Sequence, residues 1–218
     1  MAEELPFRSR AASCRPSARI ILPADRVTKS RTCLGPCDDR LMVEVRTGHT
    51  ADLDRATLEA ASRLLHGVFE GDFSDHDWDH ALGGVHALVW DGDELIAHGS
   101  VIQRRLVHRG RALRAGYVEG VGVRADRRRR GHGTALMHAL ERVVRGAYEI
   151  GALGATEAAA AFYTALGWQR WQGPTSVLTP TGIARTADED GSVYILEVTR
   201  PIDLAEGLTC DWRDGDPW

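Results

Sequence analysis

The stretch "RRRRGHGTAL", residues 127–136, runs four arginines into a Gly-His-Gly turn. Such a segment suits a nucleic-acid patch, a solvated charge cluster or a phosphate cradle, and its surroundings discriminate among them. It follows "VEGVGVRAD", which reads as a strand end, and opens a run in which Leu136, Leu140, Val143 and Val144 share one helical face. A strand, a glycine-bearing loop and a helix start together offer free backbone N–H groups and the positive end of a helix dipole. Arg128, Arg129, Arg130, Gly131, His132 and Gly133 are thus a candidate diphosphate cradle. Charge opposes nucleic acid: residues 1–41 hold eight basic and five acidic residues, which leaves 19 basic against 26 acidic in the rest. An acidic body binds phosphate backbones poorly.

Other residues could move protons or hold cations. Glu119 stands two residues before Val121 in the same strand, where a carboxylate can take a proton from an ammonium group or form a salt bridge to Arg114. Tyr163, in "AAAAFYTALGW", is either a packed aromatic or a phenolic acid. Three acidic groups punctuate the chain: Asp72, Asp75, Asp77 and Asp79; Asp188, Glu189 and Asp190; and Asp211, Asp214, Asp216 with the carboxylate of Trp218. Each is an ordinary solvated loop or one wall of an acidic bowl for a polycation. Trp212 and Trp218 imply that the tail docks, since two indoles on a frayed end would leave much apolar area in water. His76 and His80 are spaced i, i+4 beside aspartates but lack a third ligand, and Cys33 and Cys37 lack a second pair, so no metal is assigned. His86, flanked by Val85 and Ala87, reads as a core or sheet histidine.

The elements that must position these groups are legible. Of 218 residues, 43% are hydrophobic and 27% charged, which fits a globular chain with a real core. No apolar run is long enough to span a bilayer, and the N-terminus lacks a secretory h-region, so the expectation is cytoplasmic with no membrane partner. Residues 1–40 show no periodicity and are expected to be a disordered extension, with the folded domain at 41–218. "LMVEVR" reads as a strand, and Asp52 as the cap of a helix carrying Leu53, Ala56, Ala60, Leu64 and Leu65. "VHALVW", "LIAHGSVIQRRLVHR" and "ALRAGYVEGVGVR" form an antiparallel meander with tight turns. The arginine loop and its helix, the strand "YEIGALG", the short helix "TEAAAAFYTALGW" and further strands ending in "SVYILEV" complete an α/β (α+β) domain without repeats.

Taken together, "VGVRADRRRRGHGTAL" and "AAAAFYTALGW" resemble the GNAT superfamily of N-acetyltransferases, with its pyrophosphate loop Gln/Arg-x-x-Gly-x-Gly/Ala. Arg128, Gly131 and Gly133 match that loop, and Phe162, Tyr163, Gly167 and Trp168 match the later helix. "GDFSDHDWDHALGGVHAL", "HGSVIQRRLVHRG", "GPTSVLTPTG" and "CDWRDGDPW" are similar to the actinobacterial aminoglycoside 2'-N-acetyltransferases, from about Val43 to Trp218.

The resemblance implies a single GNAT-type domain with a mixed, mostly antiparallel sheet flanked by helices. It also implies acetyl-CoA as donor, a polycationic amine as acceptor, drug resistance as outcome, and a homodimer. Val121, Gly122 and Val123 join the cofactor set, with N–H groups aimed at the thioester oxygen, each such donor worth roughly 3 kcal/mol in acyl transfer. Glu119 becomes the base, directly or through water, and Tyr163 the acid for a thiolate whose pKa is about 8.5 when free. Substrate contacts carry over to Asp72, Glu119, Gly120, Gly154, Asp188, Glu189, Asp216 and Trp218, although Glu189 stands where an aspartate is expected and Gly154 where a small polar residue is common. Two alternatives stay open: acetylation of a cellular amino sugar or polyamine, and a non-catalytic acyl-CoA- or drug-binding module.

Overall fold

A computed structural model of the chain describes residues 29–30, 43–199 and 201–218. Most of the 1–40 extension, with Cys33 and Cys37, lies outside the described residues. Within it Lys29–Ser30 forms β1, a two-residue strand antiparallel to β2 (Val43–His49).

A single 3-10 turn, Thr50–Asp52, separates β2 from α1 (Arg55–Val68). The cap of α1 is Asp54, whose side chain accepts from Thr57 N at 2.7 Å, and not Asp52, which ends the preceding turn. That bond satisfies one orphan helix donor and is worth about 1 kcal/mol. The acidic segment after α1, expected to be a loop, forms α2 (Asp75–His80). Its sequence contains a reciprocal capping box: Asp77 N donates to Ser74 Oγ at 3.3 Å, and Ser74 N donates to Asp77 Oδ2 at 2.7 Å.

The meander follows as β3 (Val85–Asp91), β4 (Glu94–His108) and β5 (Arg111–Val123). Next come α3 (His132–Ala147), β6 (Ile150–Gly154), α4 (Ala160–Ala165) and β7 (Gln169–Arg170). The last third adds β8 (Thr175–Thr179), β9 (Gly182–Arg185), β10 (Val193–Glu197) and β11 (Leu208–Cys210). Strand order is β1-β2-β3-β4-β5-β6-β10-β7, with β11 bridging the far end of β4 to β8, and β8 to β9. Pairing is antiparallel except for β5 with β6, which α3 connects, and β8 with β11.

Two cores result. On one face, Leu136, Met137, Leu140 and Val144 of α3 pack with Tyr163 and Trp168 over Ala97, Val101, Val118 and Leu153. On the other, Leu113, Tyr117 and Ile150 pack with Trp171, Ile195, Leu208, Cys210 and Trp218. The tail therefore docks: Trp218 is 6% exposed while Trp212 is 51% exposed. No helix among the described residues is long and apolar enough to cross a membrane.

Candidate active site

A bulge in β5 organises the site. His98 faces Gly122 and Ser100 faces Glu119, so β5 carries one more residue than β4 over that interval. Gly120 sits within this interval with φ +55°, a conformation open to glycine at little cost. Inserting a residue reverses the side-chain alternation. Before the bulge, Tyr117 belongs to the tail-side core; after it, Val121 and Val123 pack toward α3. Gly122 then lies beneath α1, where an added Cβ would stand 2.9 Å from Leu65 and 3.3 Å from Val68.

Just ahead of the bulge β5 parts from β6. Their parallel register covers only Ala115–Tyr117. The edge of Val121–Val123 facing away from β4 is therefore available to a ligand, flanked by the start of α3. Gly131, at φ +83°, caps that helix without any side-chain cap bond, so the first N–H groups of α3 are left for another acceptor. Val123 and Phe162 converge on Gly133, whose added Cβ would meet them at 3.6 and 3.4 Å. Arg128 Nε ties the loop to Val123 O at 3.1 Å, while the exposed Arg129 and Arg130 reach outward and His132 is half-buried. This donor set fits a diphosphate. Arg127 is committed elsewhere, to Asp91 at 2.6 Å.

Glu119 is enclosed, its side chain 14% exposed. Its partner is not Arg114, whose Nε donates to Ala147 O, but Arg213, whose Nη1 donates to Glu119 Oε1. Burial pushes the Glu119 carboxyl above its usual range, opposed by the Arg213 and Arg104 guanidinium groups. Ser100, opposite Glu119 across the ladder, and Tyr117, two residues before it, have buried hydroxyls without a hydrogen-bond partner among the described residues. The Arg104 and Arg213 guanidinium carbons lie 4.7 and 5.6 Å from the centre of the Tyr117 ring.

The acidic segments meet through the tail. His80 Nε2 bonds to Asp214 O at 2.7 Å, and an added Cβ on Gly215 would stand 2.9 Å from His76, so α2 adjoins residues 214–215. Trp218 Nε1 donates to Thr186 Oγ1 at 2.9 Å, which brings in the turn Ala187–Glu189. An added Cβ on Gly154 would stand 3.7 Å from the Trp218 carbonyl carbon. Asp216 Oδ1 accepts from Trp218 N at 3.0 Å and Asp216 O from Arg213 Nε at 2.7 Å.

Not every acid remains available. Asp190 is bound by Arg185 and Thr175, and those bonds hold its carboxyl far below the usual range. Asp211 holds Arg104 at 2.8 Å, and Asp77 serves its helix cap. Glu189 accepts from Ser192 Oγ at 2.7 Å. Asp72, Asp75, Asp188, Asp214 and Asp216 have exposed side chains.

Tyr163 lies on the α3 side, 7% exposed, with ring neighbours Phe162, Trp168 and Tyr194. Burial pushes its phenol up to about 12, so the proton stays on through the neutral range. Phe162 touches Gly133, so α4 brings Tyr163 beside the start of α3.

Sequence reasoning missed two features. Arg213 is the sole cation in "CDWRDGDPW", and a lone arginine among acids was the available signal. The second is a polar chain through the interior: Thr50 Oγ1 to His86 Nε2 at 2.8 Å, His86 Nδ1 to His98 Nε2 at 2.9 Å, and His98 Nδ1 to Gly120 O at 3.0 Å. Only the burial of His86 was legible.

A family model described as an acetyltransferase (GNAT) domain matches residues 50–171. An aminoglycoside 2'-N-acetyltransferase from Mycolicibacterium fortuitum is 50% identical over 187 residues, covering 84% of this chain and 96% of the relative. Among solved structures, the Escherichia coli GNAT family N-acetyltransferase YhbS, in complex with CoA, aligns with a TM-score of 0.57 at 13% identity, covering 83% of this chain and 94% of that one. Escherichia coli ElaA aligns with a TM-score of 0.52 at 21% identity, over 72% and 99%. The parted strands, the glycine-capped helix and these matches lead to one statement: the chain belongs to the GNAT acetyltransferase family.

Proposed function

We propose that the protein transfers the acetyl group of acetyl-CoA to the 2'-amine of an aminoglycoside. The observation that carries this reading is the convergence of three acidic segments on the tail beside Glu119, in a GNAT chain half identical to the named Mycolicibacterium fortuitum enzyme.

Acetyl-CoA supplies the activated acyl group. Gly131, Gly133 and the N–H groups opening α3 hold its diphosphate, with Arg128, Arg129, Arg130 and His132 around them. The N–H groups of Val121 and Val123, freed by the parting of β5 from β6, polarise the thioester carbonyl. Asp72, Asp188, Glu189, Asp216 and Trp218, with the backbone at Gly120 and Gly154, hold the polycation. Glu119 takes the ammonium proton; its raised pKa makes it the stronger base. Since Arg213 covers one carboxylate oxygen, the proton travels through water beside the unpartnered Ser100 and Tyr117 hydroxyls. The free amine forms the C–N bond. As the C–S bond breaks, Tyr163 gives its proton to the departing thiolate and regains one from the nitrogen of the collapsing intermediate, and burial keeps the phenol protonated before that step.

The same reading takes the protein to act in the cytoplasm as a homodimer, to confer aminoglycoside resistance, and to need no metal, nucleic acid or membrane. The resemblance supports the dimer, and light scattering of the purified chain tests it.

The deciding experiment measures thiol release from acetyl-CoA with paired aminoglycosides that differ only in a 2'-amine or a 2'-hydroxyl. Turnover with the amine alone is expected. Equal turnover with both would move transfer to another amine. No turnover with either, despite acetyl-CoA binding, would redirect the search to cellular amino sugars and polyamines.

A further inference from the structure

Arg213 touches three groups assigned to the acceptor site. Its Nη1 donates to Glu119 Oε1, its Nη2 to Trp218 O at 2.7 Å, and its Nε to Asp216 O at 2.7 Å. All of its nitrogens are engaged, its side chain is 15% exposed, and its plane sits over Tyr117. Such a fork is specific to arginine, because lysine offers one compact ammonium in place of a rigid planar array.

We infer that Arg213 is the positioning residue of the acceptor site, holding Glu119 ionised and oriented while locking the Asp216–Trp218 tail against it. The inference rests on the reading of Glu119 as the base.

Charges around Glu119 support this assignment. From β4, Arg104 faces it, but Arg104 is committed to Asp211 through Nε and to Asp211 O through Nη2. From β5, Tyr117 contributes a neutral phenol, with burial pushing its pKa far above the usual range. From α2, Asp77 opposes ionisation. His80, beside Asp77 and Arg213, is held below its usual pKa mainly by burial, then by Arg213. From β11, Cys210 keeps its proton, with burial pushing the thiol up to about 11, and its Sγ donates to Pro217 O at 3.3 Å. Arg213 is thus the only cation among the described residues in direct contact with the Glu119 carboxylate. Removing it leaves the buried carboxylate without a contacting cation, with only the more weakly acting Arg104 nearby, so the carboxyl pKa rises.

Arg213→Gln keeps polarity and most of the volume but removes the charge. We expect it to move the acid limb of kcat/KM for the amine upward by about one pH unit or more, which lowers the rate about tenfold at any pH below the wild-type limb. Arg213→Lys keeps the charge without the fork, and its limb is expected to fall between those of wild type and Arg213→Gln. Adding Glu119→Gln to Arg213→Gln should cost less than the product of the two single losses. An unmoved acid limb in both Arg213 variants, with loss confined to thermal stability, overturns the inference. So do fully multiplicative losses in the double variant. A 13C carboxyl titration of Glu119, assigned by its loss in Glu119→Gln, reads the same effect without turnover. The resonance should titrate higher in Arg213→Gln, or in Arg213→Lys if the first does not fold, and coincidence with wild type overturns the inference. If wild type acetylates no amine, the proposed function fails while this titration still decides the hold of Arg213 on Glu119.

Discussion

His86 donates from Nδ1 to His98 Nε2 across 2.9 Å, and the direction of that bond is dictated by the carbonyl at the end of the chain. Gly120 O can only accept, so His98 carries its proton on Nδ1 and accepts on Nε2. His86 must then be protonated on Nδ1 and accept at Nε2 from the Thr50 hydroxyl, which itself accepts from Gly83 N at 2.9 Å. One proton arrangement satisfies every member while both rings are neutral. The chain ends on the bulge residue next to Glu119, so interior packing and site geometry are coupled.

That arrangement predicts a stability profile in acid. Burial depresses His86 to about 3 and His98 to about 4, from 6.5. Below pH 6.5 the unfolded chain therefore binds more protons than the native one, and stability rises with pH. The stabilisation is complete above about 6.5 and is lost as pH falls through 4. For the fully buried His98 the loss is roughly 3 kcal/mol. Thermal melts from pH 8 to 4 should show Tm falling below pH 6.5, with a flatter profile in His98→Asn. A His98→Asn profile parallel to wild type would contradict this account.

Gly120→Ala should damage the site more than Gly122→Ala. Both added methyls crowd Leu65, at 3.0 and 2.9 Å, but only Gly120 has positive φ. Forcing alanine into that region costs about 1–2 kcal/mol. The chain can relieve this by flattening the bulge, which would shift Val121 and Val123 relative to α3. Gly120→Ala should lose kcat more than tenfold, whereas Gly122→Ala should act mainly on stability. Equal kcat in the two variants would dissociate the bulge from catalysis.

Much of this arrangement was legible because it is written in local chemistry. The meander announced itself by alternation and glycine turns, and α3 by its apolar face after Gly131. Reading α2 as a loop failed because its acids suggested solvent; the Ser74/Asp77 box shows that one of them caps a helix. Asp190 and Asp211 looked equivalent to Asp188 and Asp216, yet Arg185 neutralises the first from the end of the adjacent strand and Arg104 the second from a strand 107 residues away. Arg213 lies 94 residues from Glu119, and a pairing across that separation has no local signature. The histidine chain joins four segments through the registers of β3 with β4 and β4 with β5, and periodicity indicates faces but not which polar groups align.

Tyr163→Phe isolates the proposed acid. Deleting one hydroxyl leaves the ring contacts with Phe162, Trp168 and Tyr194 in place, so the fold should persist with little change in Tm. Loss of a positioned acid should lower kcat about a hundredfold while leaving KM for acetyl-CoA within twofold. An unchanged kcat would return Tyr163 to a packing role.

Thr186→Val tests whether the docked tail serves the acceptor. Thr186 Oγ1 accepts from Trp218 Nε1 and in turn donates to Thr175 Oγ1 at 2.9 Å, which links tail, turn and β8. Valine keeps the shape but removes the acceptor, leaving the indole N–H unsatisfied at a cost of about 1–3 kcal/mol. The tail holds Asp216 and, through Arg213, the orientation of Glu119, whereas the α3 loop is built separately. KM for the amine should therefore rise several-fold with KM for acetyl-CoA unchanged. Steady-state kinetics with each substrate varied in turn checks this, and a parallel rise in both constants would mean that the tail supports the whole domain, not the acceptor side alone.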